Sequence, residues 1–186
     1  LVMMVCGYTV CWSGNYIPNS SESNPNRVAR IYGTLDETTG QWKWTEPEEV
    51  TETIYPLFVK NGTPTVQSLF IGSGRICQSR IVKVKDYYRL YCSVWTKNEG
   101  NRVIYSDDFG RSWNILGTVD DRPATGGDEP KCEEMPDGSV ILSSRTSGRV
   151  FNIYKYSDVK SGTGKWLGAV TSNSNNSGIA VGNSTN

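Results

Sequence analysis

SDDFGRSW, residues 106–113, is the stretch that decides the fold. It follows the pattern Ser-x-Asp-x-Gly-x-Ser-Trp, and each fixed position has a mechanical task. An aspartate side chain accepts backbone N–H groups across a turn, and a glycine permits positive φ. A tryptophan packs beneath and covers the turn. The pattern predicts a stapled hairpin with Ser106, Asp108, Gly110 and Trp113 as scaffold, and Asp108 as structural rather than reactive.

Working outward, the hairpin belongs to a repeat. YYRLYCSVWTKNEGNRVIYSDDFGRSW (87–113) lies over DGSVILSSRTSGRVFNIYKYSDVKSGTGKW (137–166). In both, a strand ends on a bulky or polar residue and Thr, a short loop follows, and a second strand ends in Tyr-Ser-Asp. A Gly-containing turn and a Trp close each unit. Trp95 falls over Arg145, at a period of about 50 residues. VARIYGTLDETTGQWKW (28–44) is a weaker third copy. Runs rich in Val, Ile, Tyr and Trp, broken by Gly, Asn, Asp and Pro, predict an all-β chain. KNGT, NEGN and PDGS supply the turns, and the polar segment 13–26 reads as a surface loop. Three- to four-stranded units at this period are blades of a β-propeller. Three copies do not close a ring, so residues 1–186 read as a sector of about three blades. The blade boundaries fall near 70 and 122, with blades missing at both ends.

Composition removes several chemistries. Lys plus Arg equals Asp plus Glu at 19 each, which gives no electrostatic case for nucleic acid. No apolar run is long enough for a membrane span, and LVMMVCGYTV reads as a buried strand. There is no histidine, so Ser-His-Asp and Cys-His catalysis and the usual zinc sites are excluded. The five cysteines show no CxxC spacing and read as mostly free thiols. No metal site is expected: no dense acidic loop is present to hold calcium.

A second stretch carries the chemistry: GDEPKCEEMPDGSVILSSRTSGR, 127–149. Glu129 opens one strand, MPDGS turns the chain, and Arg145 closes the next, sixteen positions on. The two can meet across an antiparallel hairpin. An ordinary salt bridge is one reading of that pair. Glu133 and Glu134 are rivals for a chemical role, but they lie nearer the turn, where exposure is expected. Arg149 reads as a surface charge.

These residues, with the Asp box at 106–113 and support from WTEPEEVTE and FIGSGRICQ, resemble the bacterial sialidases, glycoside hydrolases of terminal sialic acids. The likeness runs over nearly the whole chain, into the fourth blade of a six-bladed propeller; Cys77 and Gln78 depart from the family's glycine-rich segment. It implies a retaining exo-α-sialidase in which a tyrosine is the nucleophile, since a carboxylate would be repelled by the sialic acid carboxylate. It implies that Glu129 draws the proton from that tyrosine. Arg145 would be one of three arginines that clamp the substrate carboxylate in a planar fork. Arg75 and Ile76 fall at the repeat position of Glu129 and would edge the pocket, with Gln78 beside them. Trp95 either stacks on the sugar or is plain packing. The acid/base aspartate, the tyrosine and two arginines are expected outside residues 1–186, so an isolated sector is not expected to turn over substrate. Sialylated glycoproteins, glycolipids and oligosaccharides are the expected partners, together with the remaining blades. The implied location is secreted, periplasmic or on the bacterial cell surface, and no cofactor is implied. A trans-sialidase and a non-catalytic Asp-box propeller that binds glycan or protein are the alternatives.

Overall fold

The computed structural model describes residues 2–6, 27–66, 68–71, 74–96, 100–125, 128–145 and 149–172. The loop 13–26 and the segment 173–186 lie outside the described residues. Three antiparallel sheets follow one another along the chain. The first holds β1 (Val2–Cys6), β2 (Val28–Asp36), β3 (Gln41–Trp44) and β4 (Glu48–Glu49), in the order β1-β2-β3 with β4 also beside β2. One helical turn, α1 (Thr51–Ile54), runs into a 3-10 turn at Tyr55–Phe58, with Pro56 in its first turn where a missing N–H costs nothing. A small ribbon follows, β5 (Val59–Lys60) and β6 (Thr63–Pro64). It turns at Asn61 and Gly62, both at positive φ, as a two-residue hairpin demands.

The second sheet contains β7 (Leu69–Ile71), β8 (Cys77–Val84), β9 (Tyr87–Thr96), β10 (Arg102–Ser106) and β11 (Asn114–Ile115). Its order is β11-β10-β9-β7, and β8 pairs with β9 on the same flank as β7. The sequence RIVKVKDYYRLYCSVWT reads as continuous strand, but the structure folds it back at Lys85–Asp86, with Lys85 at φ 52. Asp86 is a turn former, but Lys85 takes the positive φ that usually calls for Gly or Asn, so no familiar turn pair interrupts the alternation. The third sheet is β12 (Asp128–Glu134), β13 (Val140–Arg145), β14 (Arg149–Asp158) and β15 (Thr163–Trp166), with β16 (Val170–Ser172) also paired to β14.

Two cores lie between the three sheets. Val28, Ile54, Phe58, Leu69, Val94, Ile104 and Trp113 fill the first. Tyr91, Val103, Leu116, Val140, Leu142 and Tyr154 fill the second. Strand β9 serves both: Leu90, Cys92 and Val94 enter one core, and Tyr91 enters the other. Period-2 alternation of side chains places them so.

The hairpin at 106–113 is stapled by hydrogen bonds. Ser106 Oγ donates to Asp108 Oδ1 (2.8 Å), and Asp108 also accepts from the Ser112 amide (2.8 Å) and the Ser112 hydroxyl (2.6 Å). The Gly110 amide donates to Ser106 Oγ (2.8 Å), with Gly110 at φ 81. Burial works against the charge on Asp108, but the Ser112 and Ser106 bonds outweigh it and hold the carboxyl below its usual value.

Buried cations tie one sheet to the next. Arg30 of β2 donates to the carbonyls of Gly110 (2.5 Å) and Arg111 (3.1 Å), and pairs with Glu48 (2.5 Å). Arg89 of β9 donates to the carbonyls of Val159 (2.8 Å) and Lys160 (3.1 Å). It meets Asp107 through Nε (2.7 Å) and Nη2 (2.8 Å), and its guanidinium lies 4.4 Å from the Tyr105 ring centroid. The Arg89 side chain is 0 % exposed. Burial opposes its charge, and the bonds to Asp107 and Tyr156 overcome that.

Cys77, Cys92 and Cys132 are buried free thiols. Burial pushes the Cys77 thiol up to about 11 and Cys132 well above the usual range. A raised thiol pKa keeps Cys77 and Cys132 neutral at pH 8, and burial shields Cys92 from reagent, so all three are expected to resist iodoacetamide until the protein unfolds. Mass spectrometry of alkylated peptides checks this. Replacing Arg89 with Ala strands Asp107 and two turn carbonyls. The expected loss is about 3 kcal/mol of unfolding free energy, read by urea titration.

Candidate active site

The site is built where β12 begins and β13 ends. Asp128 pairs directly with Arg145, and the ladder resumes at Lys131 opposite Ser143. Glu129 and Pro130 therefore form a bulge opposite Ser144. A proline cannot donate to the ladder, so bulges and strand starts are where it belongs. Glu129 sits at φ 44, in the left-handed region. That conformation costs a non-glycine residue about 1 kcal/mol or more. The proline after it favours extended backbone, which adds to the conflict.

The second sheet holds the bulge in place. Ser93 of β9 donates its hydroxyl to the Pro130 carbonyl at 2.6 Å, in a buried position. Asn101, just before β10, donates its side-chain amide to the Ser144 hydroxyl, next to Arg145. The Asn101 backbone is itself fixed by its N–H to the Ala124 carbonyl, 2.8 Å. The strand holding Glu129 and the strand holding Arg145 are thus each pinned from the neighbouring sheet.

On this frame the Glu129 carboxylate reaches Arg145: Oε2 stands 3.3 Å from Nε. Both side chains are about half exposed, so a ligand can approach the pair. The hydrogen-bond faces of a guanidinium and a carboxylate are presented together to solvent. Such a pair can bind an anion through the guanidinium and take a proton on the carboxylate. An exposed ion pair contributes about 0–1 kcal/mol, no more than the strain at Glu129.

The other expected site residues divide from this pair. Arg75 makes a two-pronged ion pair with Glu133, Nε to Oε1 at 3.1 Å and Nη2 to Oε2 at 3.0 Å. Glu133 is four positions along β12 from Glu129, about 10–13 Å at strand rise. Arg75, Ile76 and Gln78 line a cleft of about 670 Å³ with Glu133, Glu134, Met135 and Pro136. Neither Glu129 nor Arg145 lines it. Trp95 is part-buried on β9 and pairs with Phe70 of β7. Glu134 is structural here: it accepts from the Ser79 hydroxyl and, at 2.7 Å, from the Arg80 amide, filling donors freed where β8 bulges. Arg149, expected as a surface charge, is buried at the start of β14 and stands opposite Arg145 in the ladder.

Ser93, Asn101 and Ser144 are support residues that the sequence reading passed over. Only Glu-Pro at a strand start signalled the bulge. Among the described residues no group of three His, Cys, Asp or Glu side chains could hold a metal ion.

No family model matches the chain, and a search of curated proteins finds no match. Among solved structures, the chain is similar to the intramolecular trans-sialidase from Ruminococcus gnavus in complex with oseltamivir carboxylate. The TM-score is 0.50 at 23% identity, over 78% of this chain and 26% of that one. The leech intramolecular trans-sialidase complexed with 2,7-anhydro-Neu5Ac is matched at TM-score 0.49 and 23% identity, over 80% of this chain and 22% of that one. The chain spans about a quarter of the length of these proteins. The first likeness is one of fold: an all-β chain of sialidase-like fold.

Glu129→Gly removes the left-handed penalty, with an expected gain of about 1 kcal/mol in unfolding free energy by urea titration. A loss of stability would show that the carboxylate, rather than the backbone, governs this position.

Proposed function

We propose that the chain is a sector of a sialidase β-propeller, with Glu129 and Arg145 as part of its active site. The observation that carries this is the half-exposed Glu129–Arg145 pair on a strained, doubly pinned bulge. The likeness of fold to a solved trans-sialidase supports it. The substrate would be a terminal α-linked sialic acid on a glycoconjugate. Arg145 would take the substrate carboxylate, and Glu129 would accept a proton from a tyrosine supplied by another part of the propeller. The tyrosine would attack the anomeric carbon, and water would later release the sugar with retention. Tyr91, in the sheet that pins the pair, does not suit that role. Tyr91 is buried, its hydroxyl is 2.8 Å from that of Tyr156, and burial raises its pKa.

In the full-length protein, Glu129→Gln and Arg145→Ala are each expected to lower kcat/KM by at least 100-fold on a fluorogenic sialoside. The thermal midpoint should stay within a few degrees. Near-normal turnover in either variant would reject the assignment. Partition of the released sugar between water and an added acceptor separates hydrolysis from transfer.

A further inference from the structure

Strand β9 turns Tyr91 and Ser93 toward the third sheet. Tyr91 fills the core there, but Ser93 brings a hydroxyl into a position that is 6% exposed. A buried hydroxyl costs stability unless it is bonded, and this one donates to the Pro130 carbonyl at 2.6 Å. What that bond controls follows from the chain it grips. Between the Pro130 carbonyl and the Glu129 Cα lie a planar peptide bond and a proline ring that fixes φ. The ψ torsion of Pro130 is the soft one left between the anchored oxygen and the Glu129 Cα. Without the anchor, Glu129 is released from φ 44 to the extended backbone that a residue before proline favours.

A second anchor grips the other strand. Asn101 is 0% exposed, and its side-chain amide donates to the Ser144 hydroxyl. Ser144 adjoins Arg145, whose backbone is paired on both sides, with Asp128 and with Arg149. Asn101 thus sets where the end of β13 lies, while Ser93 sets the bulge in β12. The two anchors act on different strands and on different members of the pair.

The two members would do different work. The substrate carboxylate that Arg145 would hold is charged before and throughout the reaction. A misplaced Arg145 therefore weakens ground state and transition state alike, which raises KM. Glu129 would receive its proton only as the tyrosine attacks, so a misplaced Glu129 lowers kcat.

We propose that Ser93 and Asn101 are positioning residues with separate tasks, Ser93 aiming Glu129 and Asn101 aiming Arg145. This inference rests on the active-site reading given above for the pair.

Steady-state kinetics of the full-length protein on a fluorogenic sialoside test it. Ser93→Ala should lower kcat about tenfold or more and leave KM within about twofold. Asn101→Ala should raise KM about tenfold and leave kcat within about twofold. Ser93→Thr, which keeps the hydroxyl, should restore most of kcat. Should Ser93→Ala fail to fold, Ser93→Cys takes its place, since its weaker donor keeps the size and the same split is expected. In a Glu129→Gln background Ser93→Ala should cost little more, because it acts through the carboxylate. An equal loss in both backgrounds overturns the proposal. So do kcat and KM changing in the same proportion in the Ser93 and Asn101 variants. Near-normal turnover in Glu129→Gln alone rejects the active-site reading itself, so the two failures are distinguishable.

Discussion

Strand β9 is buried on both faces, and the rest of the molecule depends on that. A sheet of four or five strands cannot bury its own apolar face, so each sheet must share its core with a neighbour. Tyr91 turned one way and Leu90, Cys92 and Val94 turned the other make β9 common to both cores. The buried cations then lock the stacking. Arg89 is tolerated in the interior because an acid, two turn carbonyls and two aromatic rings surround it. These bonds have direction, so they fix how one sheet sits on the next in a way that apolar packing alone does not.

The same stacking sets the geometry of the candidate site. Glu129 and Arg145 belong to the third sheet, while the groups that hold their strands belong to the second. A free hairpin would relax the bulge at Glu129 to a conformation its side chain prefers. Pinned through the Pro130 carbonyl and the Ser144 hydroxyl, it keeps a left-handed glutamate beside an arginine. Strain of this kind persists where the surroundings over-determine it, which is why it concentrates at functional positions.

Much of the architecture was legible in the residues. Alternating Val, Ile, Tyr and Trp gave the strands, and the Ser-x-Asp-x-Gly pattern gave the stapled turn. The sixteen-residue interval, with a turn at its midpoint, brought Glu129 to Arg145. Each is a local rule acting over one hairpin. Lys85–Asp86 escaped because its turn uses a non-glycine residue at positive φ. Arg75 went to Glu133 because a long flexible side chain takes the nearest carboxylate in the fold, which sequence spacing does not specify.

By itself, the sequence determined the period-2 strands, the turns and the pairing of neighbouring strands, because these follow from steric and hydrogen-bonding rules within a few residues. Only the tertiary structure decided which sheet covers which turn, why Arg149 is buried, and why Glu129 holds a left-handed backbone. The covering of the turns and the left-handed backbone of Glu129 depend on Ser93, Asn101, Arg30 and Arg89 reaching across sheet boundaries. No local rule specifies a contact between residues tens of positions apart until the sheets have packed.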